Sequence, residues 1–135
     1  MDARVVPAIG YPVPRWTVIT RDGLESYLAR PVVSPDARVH PTAELAEGVV
    51  VMAGAKVCAG VRLGPATLVS YNGFVGHGST LGTSVSVMPN ASVCGDVIVG
   101  DLSLVGANGC VLEERVLAAR SVVPAGSTFR SANSE

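Results

Sequence analysis

The chain has 135 residues, a formal net charge of −1, 48% hydrophobic residues and 16% charged residues. That balance fits one ordered unit and excludes a disordered polyelectrolyte. Lys56 is the only lysine and the nine arginines are scattered along the chain, so no basic stripe is offered to phosphates and nucleic acid is not expected as a partner.

The first ten residues, MDARVVPAIG, lack the charged-then-apolar pattern of a secretory signal, and three cysteines leave one unpaired in any disulfide scheme. A cytoplasmic protein is expected. Residues 1–32 read as an N-terminal cap segment. Five of the nine prolines stand at or before Pro35. Thr17 to Thr20 reads as a short strand. DGLESYLAR predicts one short helix, with Asp22 as N-cap, Glu25 three residues on, Leu24 and Leu28 on one face and Pro31 beyond its end. Such a segment is expected to pack on the first turn of the adjoining unit and cover an open strand edge.

That unit, residues 33–129, is locked to a period of six. Counting from Val33 in sixes gives Val39, Leu45, Val51, Val57, Leu63, Val69, Val75, Leu81, Val87, Val93, Val99, Val105, Val111, Leu117, Val123 and Phe129, and all seventeen positions are apolar. Two residues earlier the chain mostly carries small or β-branched residues, and glycine often comes directly after the apolar one. Neither a helical period nor simple alternation explains this, so the chain is a short-repeat solenoid. Residues 130–135 form a C-terminal tail.

The 33 residues from Leu63 to Gly95 contain no Asp, Glu, Lys or Arg, longer than a membrane span needs. A membrane helix is excluded because Gly64, Pro65, Asn72, Gly73, Gly76, Gly78, Pro89 and Asn90 interrupt the run and would leave backbone groups unpaired in lipid. No membrane insertion is expected. The neutral outer band instead suggests burial against partner subunits.

Between Val33 and Phe129 the chain resembles the hexapeptide-repeat acyltransferases. The segments VHPTAEL, VVMAGAKV, FVGHGSTLG and VSVMPNASVCGDVIVGDLSLVGANGCVL are most similar to the sialic acid O-acetyltransferase and UDP-amino-sugar N-acetyltransferase group. The resemblance implies an all-β fold, a left-handed parallel β-helix of about five coils with a short N-terminal strand/helix cap. It also implies acetyl-CoA as co-substrate, a small-molecule sugar acceptor carrying an amino or hydroxyl group, and a homotrimer with sites at subunit interfaces.

By the same resemblance His77 is the general base that takes a proton from the acceptor, a task suited to an imidazole titrating near working pH. The segments CGDVIVG and VGANGC resemble those lining the coenzyme groove, which carries Gly95, Gly106, Ala107 and Asn108 over as cofactor-binding residues; small residues suit a pantetheine arm lying close to the backbone. The chain departs from the family at three places. Gly78 stands where relatives commonly have Asp or Glu directly after the histidine, so a partner carboxylate comes from a distant coil, such as Asp96, or from another subunit, or else His77 works alone with lower efficiency. Ser86 stands where relatives often have a second histidine. The N-terminal α/β domain of full-length relatives does not fit in about thirty residues. His40, in HPTA, matches a family turn motif and reads as structural. Two histidines cannot supply the three-histidine metal site of carbonic anhydrases with this fold, and no catalytic metal is expected.

Gly78 and the short N-terminal segment also motivate a rival from another class, a catalytically degenerate trimeric β-helix serving as a structural or assembly module. The cysteines are expected as free thiols: Cys58 and Cys94 stand 36 residues, or two coils, apart, about 9.6 Å by strand spacing, beyond the roughly 7 Å limit for a disulfide.

Overall fold

A computed structural model describes residues 3–131. Met1, Asp2 and residues 132–135, which take in most of the expected tail, lie outside the described residues. The six-residue lock closes into a three-sided parallel solenoid of about five turns. Seventeen two-residue strands run from Val32–Val33 to Thr128–Phe129, and the second residue of each is an apolar position of the period. The strands form three parallel faces. The first, from Val32–Val33 to Val122–Val123, has six strands; the second, from Arg38–Val39 to Thr128–Phe129, has six; the third, from Glu44–Leu45 to Val116–Leu117, has five.

Every ladder pairs a residue with the one 18 positions on, as Val69 with Val87 and Val75 with Val93. Each strand is too short to bond to itself, so its amides bond upward: Leu68 N–H donates to Val85 O at 2.8 Å and Ser70 N–H to Val87 O at 2.8 Å. Inside the prism Val69, Val75, Val87, Val93, Val105 and Val111 are fully buried and make one continuous core. Buried hydroxyls brace it. Thr67 Oγ1 donates to Gly82 O and accepts from Val85 N–H, and Ser79 Oγ does the same between Cys94 O and Val97 N–H, so these buried polar groups are paired and carry no desolvation penalty.

Each edge turns on a residue of positive φ. Along the edge between the first and second faces these are Gly54, Asn72, Asn90, Asn108 and Gly126, and asparagine is one of the few residues besides glycine that enters this region readily. The glycines placed directly after the apolar position answer a different need. A Cβ on Gly106 would stand 2.6 Å from Ala125 N, and one on Gly76 2.7 Å from Cys94 C. There the coils touch backbone to backbone.

The N-terminal segment departs from expectation in three ways. Thr17 to Thr20 is not a strand: it lies in a helix, α1, over Pro12–Arg21, opened by Pro at its first turn, where the missing amide has no partner to lose. Asp22 does not start a helix. It ends α1, its carboxylate pairs with Arg21, and the expected helix is a single 3-10 turn over Glu25–Tyr27 with no side-chain cap. Tertiary burial overrides the β-branched run because Pro12, Arg15 and Ile19 share one helical face and are all buried.

Nor does the segment cover the open end, where Val33 stays 39% exposed. It lies along the first face, whose outward column Val32, Val50, Leu68, Ser86, Leu104 and Val122 is apolar but for Ser86. Arg15 pins it there. This guanidinium is 1% exposed and donates to Ile9 O at 2.9 Å, Gly10 O at 3.0 Å, Ser86 Oγ at 2.9 Å and Val85 O at 3.1 Å, while Nε has no partner. Burial pushes its pKa down to about 10, which still leaves it charged at neutral pH. Part of the neutral band is thus covered by the chain's own N-terminus: Ser84 and Ser86 are fully buried, with Ser84 Oγ donating to Pro12 O.

Two substitutions separate these layers. Arg15→Ala removes the donor that Ile9 O and Ser86 Oγ share and empties the buried space that the guanidinium fills, at a cost of about 2–4 kcal/mol. Limited proteolysis is expected to cut residues 3–21 while the coils stay protected. Val87→Asp puts an unpaired carboxylate in the core at a cost of several kcal/mol, and no cooperative melting transition is expected.

Candidate active site

His77 and Asp96 meet at the edge between the second and third faces. His77 comes just after the strand Phe74–Val75 and Asp96 just after Ser92–Val93, so they occupy successive coils. His77 O accepts from Asp96 N–H at 2.8 Å, and the two side chains face each other with Nδ1 to Oδ2 at 3.8 Å. Both are open to solvent, at 71% and 57% exposure, so the pair is an ionic contact when the imidazole is protonated.

Two glycines make that meeting possible, and neither is required by the coil itself. Gly95 has no positive φ, and the nearest atoms a Cβ there would meet belong to the His77 ring, 2.7 Å from Nε2. Gly78 has φ +69°, but Asp96 and Glu114 hold the same conformation one and two coils on, so a non-glycine residue fits that backbone. What a Cβ at Gly78 would overlap is Asp96 Oδ1. Each coil gives one polar side chain and one glycine that leaves room for the other's. The acidic neighbour missing from position 78 is thereby matched by Asp96 from the adjacent coil, one of the sources the sequence left open.

The expected coenzyme residues divide between two places. Gly95 lies against His77. Gly106, Ala107 and Asn108 stand at the edge between the first and second faces, so one chain does not bring them to His77. Gly106 is also held to glycine by the coil above it, and Asn108 has φ +57° in line with Asn72 and Asn90; both have architectural duties of their own. Ser86 is buried beneath Arg15. His40 is engaged in its own turn, accepting from Thr42 N–H at 3.2 Å, while Thr42 Oγ1 accepts from Gly60 N–H in the next coil.

The three cysteines are free. The thiols that meet are Cys94 and Cys110, with Sγ to Sγ at 3.9 Å, a diagonal contact between residues 16 apart on a coil of 18. Among the described residues no group of three or more His, Cys, Asp or Glu converges on a metal position, and no helix is long and apolar enough to cross a membrane.

No family model matches the chain, and no curated protein matches it in sequence. Solved structures do. The chain is similar to a mutant of perosamine N-acetyltransferase from Caulobacter crescentus in complex with CoA and GDP-perosamine, with 26% sequence identity and a TM-score of 0.89 over 96% of this chain and 61% of that one. It is similar to the acetyltransferase domain of PglB from Neisseria gonorrhoeae FA1090, with 26% identity and a TM-score of 0.89 over 95% of this chain and 62% of that one. The same domain in complex with acetyl coenzyme A matches at 25% identity and a TM-score of 0.81, over 96% of this chain and 68% of that one. The chain has the fold of the hexapeptide-repeat acetyltransferases. It spans about three-fifths of the length of the first two structures.

Gly95→Ala tests the glycine logic. The added methyl meets the exposed imidazole first, so the stability is expected to change by no more than an ordinary surface substitution, about 0.5 kcal/mol. The His77 ring proton resonances are expected to shift as the ring is displaced. An unmoved His77 signal with a large loss of stability would show that Gly95 serves the coil instead.

Proposed function

We propose that this solenoid transfers an acetyl group from acetyl-CoA to an amino group of a nucleotide-linked sugar, with His77 as general base and Asp96 as its positioning partner. The observation that carries this reading is the reciprocal vacancy at Gly78 and Gly95, which serves the two side chains rather than the coil. The similar acetyltransferases bound to CoA, to acetyl-CoA and to GDP-perosamine support the co-substrate and the acceptor class.

The chemistry is set by the orientation of the ring. Nδ1 faces Asp96 and Nε2 faces Gly95. With the thioester carbonyl at Gly95, an acceptor amine attacks it, Nε2 takes the amine proton, the carbon–sulfur bond breaks, and that proton leaves with the CoA thiolate as a thiol. Asp96 stabilises the imidazolium formed on the way.

A homotrimer completes the site in this reading. His77 with Gly95 and the Gly106–Asn108 turn lie at opposite edges of the second face, so a groove closed by two copies brings one edge of each together, and a closed ring of three satisfies every copy alike.

The test is release of thiol from acetyl-CoA in the presence of amino-sugar nucleotides. His77→Ala is expected to lower turnover by about 10² to 10⁴ with coenzyme binding retained. Asp96→Asn is expected to lower it by roughly tenfold, equivalent to about 1.4 kcal/mol. Unchanged turnover in His77→Ala would remove this residue from the mechanism.

A further inference from the structure

Arg38 and Lys56 stack on the outer side of the second face. They are the outward residues of successive strands and direct register partners, so their backbones are one ladder step, about 4.8 Å, apart. Both side chains are exposed. Among the described residues neither makes an ion pair or a side-chain hydrogen bond. The third face treats its equivalent pair differently: Glu44 is the register partner of Arg62, and the two side chains meet at 3.3 Å. Like charges held directly opposite each other repel, so the second face carries a local cost that the third avoids.

Beside the two cations runs a groove of about 530 Å³, lined in part by Arg38, His40, Lys56, Cys58 and Ala59. Ala59 lies directly beneath the histidine of the candidate site, its carbonyl accepting from Gly78 N–H at 2.9 Å, so the groove ends one coil below His77. His40 adds a neutral donor. Its Nδ1 accepts from Thr42 N–H, which leaves the ring proton on Nε2. The order of the coils separates two directions of approach. Lys56 and Arg38 stand one and two coils below Phe74, whose strand leads into His77, while Gly95 and the Gly106–Asn108 turn belong to the strands one and two coils above it.

We propose that Arg38 and Lys56, with His40, hold the diphosphate of the nucleotide-linked acceptor, so that its sugar reaches up to His77 while the coenzyme approaches from the C-terminal coils. The inference rests on the transferase reading for the identity of its ligand. Two cations one ladder step apart suit two linked phosphates through charge-assisted hydrogen bonds, and the planar fork of Arg38 matches one of them. The bound anion cancels the repulsion between the pair. Arg38 and Lys56 touch no bond that is made or broken; they select a nucleoside-diphosphate sugar over a free one.

Binding to the full chain is measured without turnover, by calorimetry, with inorganic pyrophosphate, guanosine and uridine diphosphates and coenzyme A as probes. Pyrophosphate and the nucleoside diphosphates are expected to bind saturably, more weakly as salt is raised, and to shift the His40 ring proton resonances. Arg38→Gln and Lys56→Gln are each expected to weaken nucleoside diphosphate binding by about fivefold and the double variant by about tenfold or more, while Lys56→Arg keeps it within about twofold. Coenzyme A affinity is expected to stay the same in all of them. The proposal is overturned if neither nucleoside diphosphate binds the wild type, or if the double variant binds them as tightly. It is equally overturned if coenzyme A is the probe that loses affinity, since the pair would then serve the coenzyme's diphosphate. The expected pattern of binding in a protein that acetylates no amino-sugar nucleotide would count against the transferase reading alone and leave the diphosphate site standing.

Discussion

Every residue of the solenoid stands on the residue 18 positions before it, at the spacing of a hydrogen-bonded ladder, and the rest of the structure depends on that contact. A column, rather than a strand, is the unit of packing. A column of valines makes the core, a column of asparagines turns an edge, and glycine stands where two backbones would otherwise collide. Because strands of two residues have little local stability, coils form only by stacking, as in other repeat proteins.

The same contact explains how a chain with so few charges stays ordered. The inward columns leave no room for a polar group without a partner, and the buried hydroxyls of Thr67, Ser79 and Ser103 each bridge a carbonyl and an amide of neighbouring turns. The outward column of the first face is apolar too, and the N-terminal segment covers its middle, burying Ser86 while Val32 and Val122 at the two ends stay exposed. Arg15 couples this cover to the coils through four oxygens. A buried guanidinium is costly unless its donors are met, and here the arm supplies two of the acceptors, so arm and coil hold each other in place.

The column rule also separates glycines that face backbone from those that face a side chain. At Gly106 the obstacle to a side chain is backbone, and nothing but glycine fits. At Gly95 and Gly78 the nearest obstacle is the side chain of His77 or Asp96. A histidine and an aspartate 19 residues apart thereby become neighbours on adjacent coils. This places a carboxylate beside the imidazole from the next rung, with Nδ1 and Oδ2 3.8 Å apart.

The period of six, the inward residue of each strand and the 18-residue coil were legible in the sequence because identical columns demand identical residue types, and repetition makes the pattern unmistakable from Val33 to Phe129. His77 stood out for the same reason, as the one imidazole in a run of small neutral residues. The N-terminal segment was not legible. With no repeat to average over, local signals at Thr17 and Asp22 pointed one way, and the burial of Pro12, Arg15 and Ile19 against the coils decided the other. Nor could sequence choose Asp96 from the carboxylates elsewhere, or pair Cys94 with Cys110 rather than Cys58. Those depend on which side chains lean towards each other across a coil step. The sequence determined which residues share a column, because that is counting; the tertiary structure decided which neighbouring columns touch, because that depends on the bend of each edge and the space left open by a missing Cβ.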